Sequence, residues 1–171
     1  MIETKDLILD KAKFSDWEDM YRNVWSRPEC NRYMTWRLTE NENDAKIKIR
    51  KVIEWQKAHD TYIVYEKSCG KAIGYAGVAE VEPYVYEDAS ICLGADHIGK
   101  GFGKQILAGL IRYVKEEYGA KEFRYSTREK NTASRKLAEA FGFVLFDSEV
   151  KTDERDGQTY TLLKYRKQLV D

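Results

Sequence analysis

The chain has 171 residues and a mass of 20.0 kDa, enough for one domain with a sizeable core, and 43% of its residues are hydrophobic. Its 29 Lys and Arg balance 29 Asp and Glu, so we expect no whole-molecule attraction to nucleic acid or to an anionic membrane. The apolar runs are far shorter than the ~20 residues that cross a bilayer, and no secretory signal is visible, which predicts a cytoplasmic protein. Three cysteines without CxxC spacing suit reduced thiols, and no metal site is expected.

The first half of the chain shows strand and helix patterns without an intervening linker. A short strand at 7–9 precedes two helices, whose starts are marked by Ser15-x-x-Glu18 and Thr39-x-x-Glu42 capping patterns. The first has apolar residues at helical spacing from Trp17 to Trp25, and the second is predicted over about 40–58. Strands predicted as an antiparallel meander follow at 62–65, 72–81 and 89–93.

The second half changes period at Gly101, after which apolar residues recur at helical spacing until Gly119. A strand at 122–127 and a short helix at about 132–140 come next, and strands at 143–150 and 159–165 complete the pattern. The predicted order is β-α-α-β-β-β-α-β-α-β-β. No repeat or low-complexity tract divides it, so residues 1–171 are interpreted as one domain.

A glycine-dense turn runs from Ile98 to Lys104, between a predicted strand and a predicted helix. Glycines let backbone amides converge on an anion, and the helix N-terminus adds partial positive charge. The turn also fits a plain surface loop. A nucleoside-triphosphate loop would need Ser or Thr at Gly101, and evenly spaced glycines do not fit the dinucleotide pattern. Neither nucleotide motif is therefore favoured.

This turn resembles the cofactor motif of the GNAT superfamily of acyl-CoA-dependent N-acyltransferases, Gln/Arg-x-x-Gly-x-Gly/Ala, with Ile98 replacing Gln or Arg. Residues 131–143 resemble the family's Asn-x-x-(Ala/Ser)…Gly-Phe helix, and residues 3–9 and 30–36 resemble the subgroup of ribosomal-protein N-terminal alanine/serine acetyltransferases. The resemblance covers nearly the whole chain. It implies an α+β, three-layer GNAT-like fold, with a mixed, mostly antiparallel sheet of about seven strands flanked by about four helices.

The resemblance also implies a site for acetyl-CoA, the expected cosubstrate. The pantetheine arm would lie along β-strand backbone at Cys92 and Leu93, and amides of the glycine turn would hold the pyrophosphate. Asn131 would bond pantetheine and Ser134 would point towards the sulfur, although the residues alone equally suit a helix cap and a solvent-exposed serine. The implied cofactor-binding residues are Cys92, Leu93, Ile98, Gly99, Lys100, Gly101, Phe102, Gly103, Lys104, Asn131 and Ser134.

The implied reaction is direct attack of a neutral amine on the thioester, through a tetrahedral intermediate. Many family members carry a Tyr four residues after the Ser134 position, but Ala138 stands there, which makes Ser134 the predicted acid. Asp88 is the predicted base, chosen from a cluster with Glu80, Glu82 and Glu87. No covalent role is expected for Cys92, since no His lies nearby in sequence to activate it.

The expected function is transfer of acetyl from acetyl-CoA to a primary amine, either a protein N-terminus or a small amine. The alternative is a catalytically silent acyl-CoA-binding or sensor domain. Residues 121–136 are basic enough to keep a nucleic-acid module in view, but the resemblance assigns that surface to the cofactor, so neither nucleic acid nor membrane is an expected partner. A homodimer is left open. We expect anionic CoA to meet the basic turn and a cationic amine to meet acidic residues 80–88.

Overall fold

The computed structural model describes residues 1–170, whose strands and helices alternate as in a mixed α+β protein. The strands are β1 (Ile2–Glu3), β2 (Leu7–Asp10), β3 (Thr61–Glu66), β4 (Ala72–Glu82), β5 (Val85–Leu93), β6 (Glu122–Arg128), β7 (Val144–Thr152) and β8 (Thr159–Gln168). The helices are α1 (Trp17–Met20), α2 (Pro28–Asn31), α3 (Glu42–Gln56), α4 (Phe102–Tyr118) and α5 (Thr132–Ala140). Single helical turns of other kinds lie at Phe14–Asp16, Tyr21–Trp25 and Ala95–His97.

The strands within residues 1–170 hydrogen-bond in the order β1-β2-β3-β4-β5-β6-β8-β7. Strands β1 to β4 pair antiparallel in succession, as do β6 with β8 and β8 with β7. Strands β5 and β6 are parallel, from Val85 opposite Glu122 to Glu87 opposite Arg124. The mixed, mostly antiparallel sheet agrees with the predicted class. The two-residue β1 and the four-residue α2 raise the predicted counts to eight strands and five helices.

Contacts divide the chain into two compact units, and the single-domain interpretation stays a prediction. The first unit comprises residues 1–78 and 89–110, and the second comprises residues 79–88 and the chain from residue 111. Apolar side chains form the core of each unit by leaving water. In the first unit these include Met20, Val24, Trp25, Cys30, Ala45, Ile49, Ile63, Ala72 and Cys92. In the second unit they include Phe123, Tyr125, Ala138, Phe143, Leu163 and Tyr165.

The helix starts differ from both predicted capping patterns. Neither Ser15 nor Thr39 caps a helix. Asn41 precedes α3 directly, in an extended conformation, and its side-chain oxygen accepts the Asp44 N–H at 2.9 Å. The Asp16 carboxylate instead accepts the Lys13 N–H at 2.7 Å and bonds a hydroxyl of β3. Both patterns were misplaced because several polar residues compete for the cap within a few positions.

The first predicted helix is also irregular. Helix α1 has one turn, and Tyr21–Trp25 continues it as a wider turn, in which the Ser26 N–H donates to the Tyr21 carbonyl at 3.1 Å. The Ser26 hydroxyl donates to that same carbonyl at 2.6 Å and so stabilises the widening. All helices within residues 1–170 are too short or too polar to act as membrane spans.

Candidate functional site

The glycine turn predicted to bind an anion lies between β5 and α4. The Gly94 N–H donates to the Ile73 carbonyl at 2.7 Å, which ends β5 against β4. Gly99 and Gly101 then adopt left-handed conformations, with φ of +84° and +79°, which side chains rarely tolerate. The Gly101 carbonyl accepts the Gln105 N–H and so begins α4, whose first turn contains the predicted residues Phe102, Gly103 and Lys104. The turn therefore leads directly into the N-terminus of α4. The free backbone amides and partial positive charge of a helix N-terminus are the features that bind anions.

The side chains of the turn are mostly exposed, with a local ion-pair group at its base. Ile98, which stands where the family prefers Gln or Arg, is 62% exposed. The Lys100 ammonium lies 3.8 Å from one Glu66 carboxylate oxygen, and His97 Nδ1 lies 3.2 Å from the other. Glu66 thus lies beside both Lys100 and His97 at the base of the turn, although His97 Nδ1 is buried and makes no hydrogen bond among the described residues.

Cys92 and Leu93, predicted to meet pantetheine, form the end of β5 beside β4. The buried Cys92 thiol contacts the Cys30 carbonyl at 3.6 Å, and the Cys30 thiol contacts the Leu93 carbonyl at 3.6 Å. The hydrogen bond with Cys30 and burial raise the pKa of Cys92, which keeps it a thiol and argues against a nucleophilic role. A Cβ at Gly74 would overlap the Cys92 carbonyl oxygen, so β4 approaches β5 closely because of that glycine.

Ser90 interrupts the regular conformation of β5 two residues before Cys92. Its φ of 104° lies in a region that non-glycine residues seldom occupy. Such backbone strain persists only where the surroundings enforce it, and it concentrates at functional sites. The strand is therefore irregular immediately upstream of Cys92 and Leu93, the residues predicted to contact pantetheine.

The remaining predicted residues lie in the second unit. One Asp88 carboxylate oxygen accepts the Ser126 N–H at 3.0 Å, and this hydrogen bond holds the Asp88 side chain against the backbone of β6. The Asn131 side-chain oxygen accepts the Ser134 N–H at 3.3 Å and caps α5. The helix-cap alternative for Asn131 is thus realised in the structure, whereas Ser134 is only half-exposed.

A residue that the sequence did not reveal lies against Ser134. The Tyr125 hydroxyl, carried by β6, is 2.7 Å from Ser134 Oγ. Burial and the nearby charge of Asp88 raise the pKa of Tyr125, so its phenol remains protonated. Alternating burial along β6 could have indicated that Tyr125 points inward, but nothing in its spacing relates it to α5.

The acidic cluster of residues 80–88 is largely occupied by local contacts. The Glu82 carboxylate accepts from Arg124 at 2.9 Å, the Glu80 carboxylate accepts the Tyr84 N–H at 3.0 Å, and Asp88 bonds Ser126. These carboxylates have structural partners within the second unit. The expectation that they receive a cationic amine gains no support from these contacts.

The basic stretch 121–136 is similarly engaged. Arg124 bonds Glu82 and Glu122, and Arg128 bonds Asp153 at 3.1 Å. Arginines held by carboxylates present less charge to phosphates, which weakens the nucleic-acid interpretation. No group of three His, Cys, Asp or Glu side chains among residues 1–170 is placed to hold a metal ion.

The chain matches known proteins both in its sequence, by a family profile, and in its fold, by similar solved structures. A family profile described as an acetyltransferase (GNAT) domain matches residues 6–144. A GNAT-family acetyltransferase from Bacillus anthracis has a similar structure, with a TM-score of 0.83 and 16% identity over 98% of this chain and 97% of its own. No curated protein sequence matches the chain.

Two further similar structures contain coenzyme A. RimL, a ribosomal L7/L12 alpha-N-protein acetyltransferase solved with coenzyme A, has a TM-score of 0.80 and 16% identity over 98% of this chain and 97% of its own. A Vibrio cholerae spermidine N-acetyltransferase solved with CoA and spermine has a TM-score of 0.76 and 17% identity over 95% of each chain. At these identities the two neighbours share the fold, while their acceptors differ.

Proposed function

Because the chain belongs to the GNAT acetyltransferase family, we propose that it transfers the acetyl group of acetyl-CoA to a primary amine, on a protein N-terminus or a small molecule. The family profile confirms the resemblance predicted from the sequence. The observation that carries the proposal is the turn with left-handed Gly99 and Gly101, which runs from the end of β5 into the N-terminus of α4. Such a turn suits the pyrophosphate of CoA.

The proposed cofactor contacts follow the predicted residues. Backbone amides from Gly99 to Lys104 bind the pyrophosphate, and Lys100 and Lys104 add positive charge. The backbone of Cys92 and Leu93 bonds the pantetheine arm as a neighbouring strand would. Asn131 and Ser134 contact the arm and the sulfur, with the Asn131 side chain already oriented by its cap on α5. Ile98 contributes backbone and apolar contact only.

The proposed chemistry has three parts that the residues supply. The amine attacks the thioester carbonyl, and the backbone at the end of β5 stabilises the oxyanion. Asp88, oriented by the Ser126 N–H, accepts the amine proton directly or through water. Ser134 Oγ donates a proton to the departing CoA thiolate, while the Tyr125 phenol donates to Ser134 and supports the developing negative charge.

We place a second copy of the chain among the proposed partners, beside acetyl-CoA and the amine. Strand β7 is the last in the sheet order, and all nine of its residues are exposed, including Val144, Leu145 and Val150. An exposed apolar edge strand is a ready template for pairing with another strand. The cytoplasmic location remains a prediction from the sequence.

Cofactor binding and turnover test the proposed function together. Acetyl-CoA at a hundredfold excess over its Kd should stabilise the protein by about 2.7 kcal/mol, read as a higher Tm. Release of free thiol should then require one of a panel of amines. Binding without release from any amine would show a silent acyl-CoA-binding domain, and absence of CoA binding would overturn both.

Two glycine variants distinguish a specific loss of CoA binding at the glycine turn from a general effect of backbone strain. Gly101→Ala should weaken CoA binding about tenfold, since the side chain opposes the left-handed turn. Gly70→Ala is the matched control, because Gly70 has φ of +69° and equally open surroundings but lies in the β3–β4 turn. Equal loss of CoA affinity in both variants would contradict the assignment of the glycine turn to the cofactor.

A further inference from the structure

An aromatic pocket in the first unit lies beside the irregular part of β5. Its volume is about 460 Å³, in the range of small-molecule sites. Five aromatic side chains and one lysine dominate its lining: Trp25, Trp36, Trp55, Tyr62, Tyr75 and Lys48. The pocket is a partly open concavity with a largely aromatic lining.

The pocket reaches β5, the strand whose end is proposed to bind the pantetheine arm. Ala89 and Ser90 of β5 line it, and Cys92 follows two residues later on the same strand. Tyr75, from β4, is hydrogen-bonded to the indole N–H of Trp36 at 2.7 Å and lies against the Cys92 thiol. A molecule in the pocket would therefore adjoin the backbone at Cys92 and Leu93.

The charge of the lining has one sign. Its charged members are Lys48 and Lys51, and no Asp or Glu is among the described lining residues. The Lys48 ammonium lies 4.5 Å from the ring centre of Trp36 and 4.9 Å from that of Trp25. Within residues 1–170 no carboxylate approaches it within the 4.0 Å of an ion pair. The ring faces of Trp25 and Trp36 are the contacts that stabilise its charge most directly.

A half-buried cation without a counter-ion is an unusual arrangement, because burial of a charge is costly unless an opposite charge compensates. Burial lowers the pKa of Lys48 to about 8, as expected for a charge that is partly withdrawn from water. The cation–π contacts compensate only part of the free-energy cost of burying the Lys48 charge. An anionic group on a bound molecule would provide the missing partner, whereas a polyamine would add further positive charge to the same chamber.

We propose that this pocket selects small aromatic amines that carry a carboxylate, such as aromatic amino acids, as the acetyl acceptor. The ring packs among the indole and phenol faces, Lys48 binds the carboxylate, and the amine faces the end of β5. This inference rests on the proposed acetyl transfer and narrows its acceptor. A protein N-terminus fits less well, since its following peptide groups would lose water in a largely aromatic lining whose few uncharged polar side chains are Gln56, Thr61 and Ser90.

Matched acceptors test the inference directly. L-phenylalanine and 2-phenylethylamine share the ring and the amine and differ in the carboxylate. Thiol release should show a kcat/KM for L-phenylalanine at least about tenfold above that for 2-phenylethylamine, as expected for one charged hydrogen-bonded pair. Spermidine and a peptide beginning with Ser-Ala should be poorer still. Equal use of the two aromatic amines, or preference for spermidine or the peptide, would overturn the proposal.

Substitution of Lys48 tests whether this lysine causes the preference for L-phenylalanine. Lys48→Met should remove the preference for L-phenylalanine by raising its KM about tenfold, and it should leave the KM for acetyl-CoA unchanged. Lys46→Met is the control, because Lys46 lies on the same helix and 4.6 Å from the ring centre of Trp17, outside the pocket lining. A preference that survives Lys48→Met, or is lost equally in Lys46→Met, would contradict the assignment.

Direct binding distinguishes failure of this inference from failure of acetyl transfer. Calorimetry with CoA-saturated protein should detect L-phenylalanine more strongly than 2-phenylethylamine, without any turnover. If thiol release fails with every amine while this binding preference persists, the pocket assignment stands and the proposed activity does not. If turnover occurs with other amines and L-phenylalanine does not bind, the pocket assignment is wrong.

Discussion

In the proposed mechanism, the hydroxyl pair of Tyr125 and Ser134 takes the place of the tyrosine that many family members carry at position 138. The family's usual tyrosine is replaced by Ala138, which is fully buried and has no polar atom to offer. The structure brings a phenol to Ser134 from β6 instead, at 2.7 Å. The phenol remains protonated because burial raises its pKa. The protonated phenol can therefore donate a hydrogen bond to Ser134, which is the proposed proton donor.

Removal of that phenol should affect turnover more than binding. Tyr125→Phe should lower kcat about tenfold with little change in the KM for acetyl-CoA, and Ser134→Ala should lower kcat further, within the range of general-acid effects. The double variant should resemble Ser134→Ala, because Tyr125 acts through the serine. Steady-state kinetics on the three proteins measures this.

Tyr165→Phe is the control for the hydroxyl pair. Tyr165 is buried and lies opposite Tyr125 in the β6–β8 register, so it tests loss of a phenol from the same packing region. An unchanged kcat in Tyr125→Phe, or an equal loss in Tyr165→Phe, would assign Tyr125 to packing alone.

Among single residues, those that form one continuous motif could be predicted from the sequence. Ile98 to Lys104 occur in one turn because glycine spacing and helix start are local properties. Tyr125 and Lys48 could not be found that way. Their relevant neighbours, Ser134 and Trp36, are reached through sheet and helix packing, which sequence spacing does not record.

At the scale of elements, long periodic segments were predicted well and irregular ones poorly. The predicted helix at 132–140 is confirmed as α5, since Asn131 caps it and apolar spacing is clear. Strand β5 begins at Val85, four residues before its predicted start, because its first part gains its parallel partner from β6. The wider turn at Tyr21–Trp25 has the same apolar spacing as a regular helix and could not be distinguished from one.

The β7–β8 hairpin is stabilised at its turn by one buried carboxylate. Asp153 accepts hydrogen bonds from the Arg155 side chain at 2.7 Å and from Arg128 at 3.1 Å. Arg128 also lies 3.6 Å from the ring centre of Tyr160. The bonds from Arg155, followed by that from Arg128, hold the pKa of Asp153 far below its usual range. The charged carboxylate thus favours the folded hairpin.

The contribution of Asp153 should depend on pH in a defined direction. Because its folded-state pKa is depressed, its stabilisation is present above the unfolded pKa of about 3.9 and is lost as pH falls. Asp153→Asn should therefore lower Tm by a few degrees at pH 7, with a gap to wild type that narrows between pH 5 and pH 3. Thermal unfolding across that range measures the gap.

Asp156→Asn is the control in the same turn, because exposed Asp156 accepts only the local Gln158 N–H among its recorded bonds, which asparagine can reproduce. Its Tm should follow wild type at every pH. A constant gap for Asp153→Asn from pH 7 to pH 3 would show that shape, and not charge, accounts for its effect.

Although the net charge of the whole chain is zero, some charged side chains are paired with opposite charges and others are not. The acids near residues 80–88 hold strands and turns within the second unit, and Arg124 and Arg128 pair with carboxylates. The lysine in the aromatic pocket has no such partner among residues 1–170. The balanced composition predicts no global attraction, and the expected meeting of a cationic amine with residues 80–88 stays a prediction that the proposed acceptor pocket does not use.

The proposed homodimer pairs the β7 edge strands of two copies, and the charges along β7 distinguish two registers of that pair. An antiparallel pair of β7 strands centred on Ser148 would place Asp147 opposite Glu149, and like charges directly opposite are destabilising. A pair centred on Val150 places Glu149 opposite Lys151 of the second copy and brings the two Val150 side chains together. Val150 is 70% exposed in the single chain, so this register gains apolar burial. It also places a lysine, and not a like charge, opposite Glu149, which already lies near Lys151 and Lys164 of its own chain.

The second register predicts a dimer that one substitution should dissociate. Sedimentation velocity should show wild type at twice its 20.0 kDa mass and Val150→Lys as a monomer, because two lysines would then face each other across the centre of the pair. Val144→Lys places the same charge on the same strand, six residues from that centre, and should leave the dimer intact. A monomeric wild type, or dissociation by both substitutions alike, would exclude pairing about Val150.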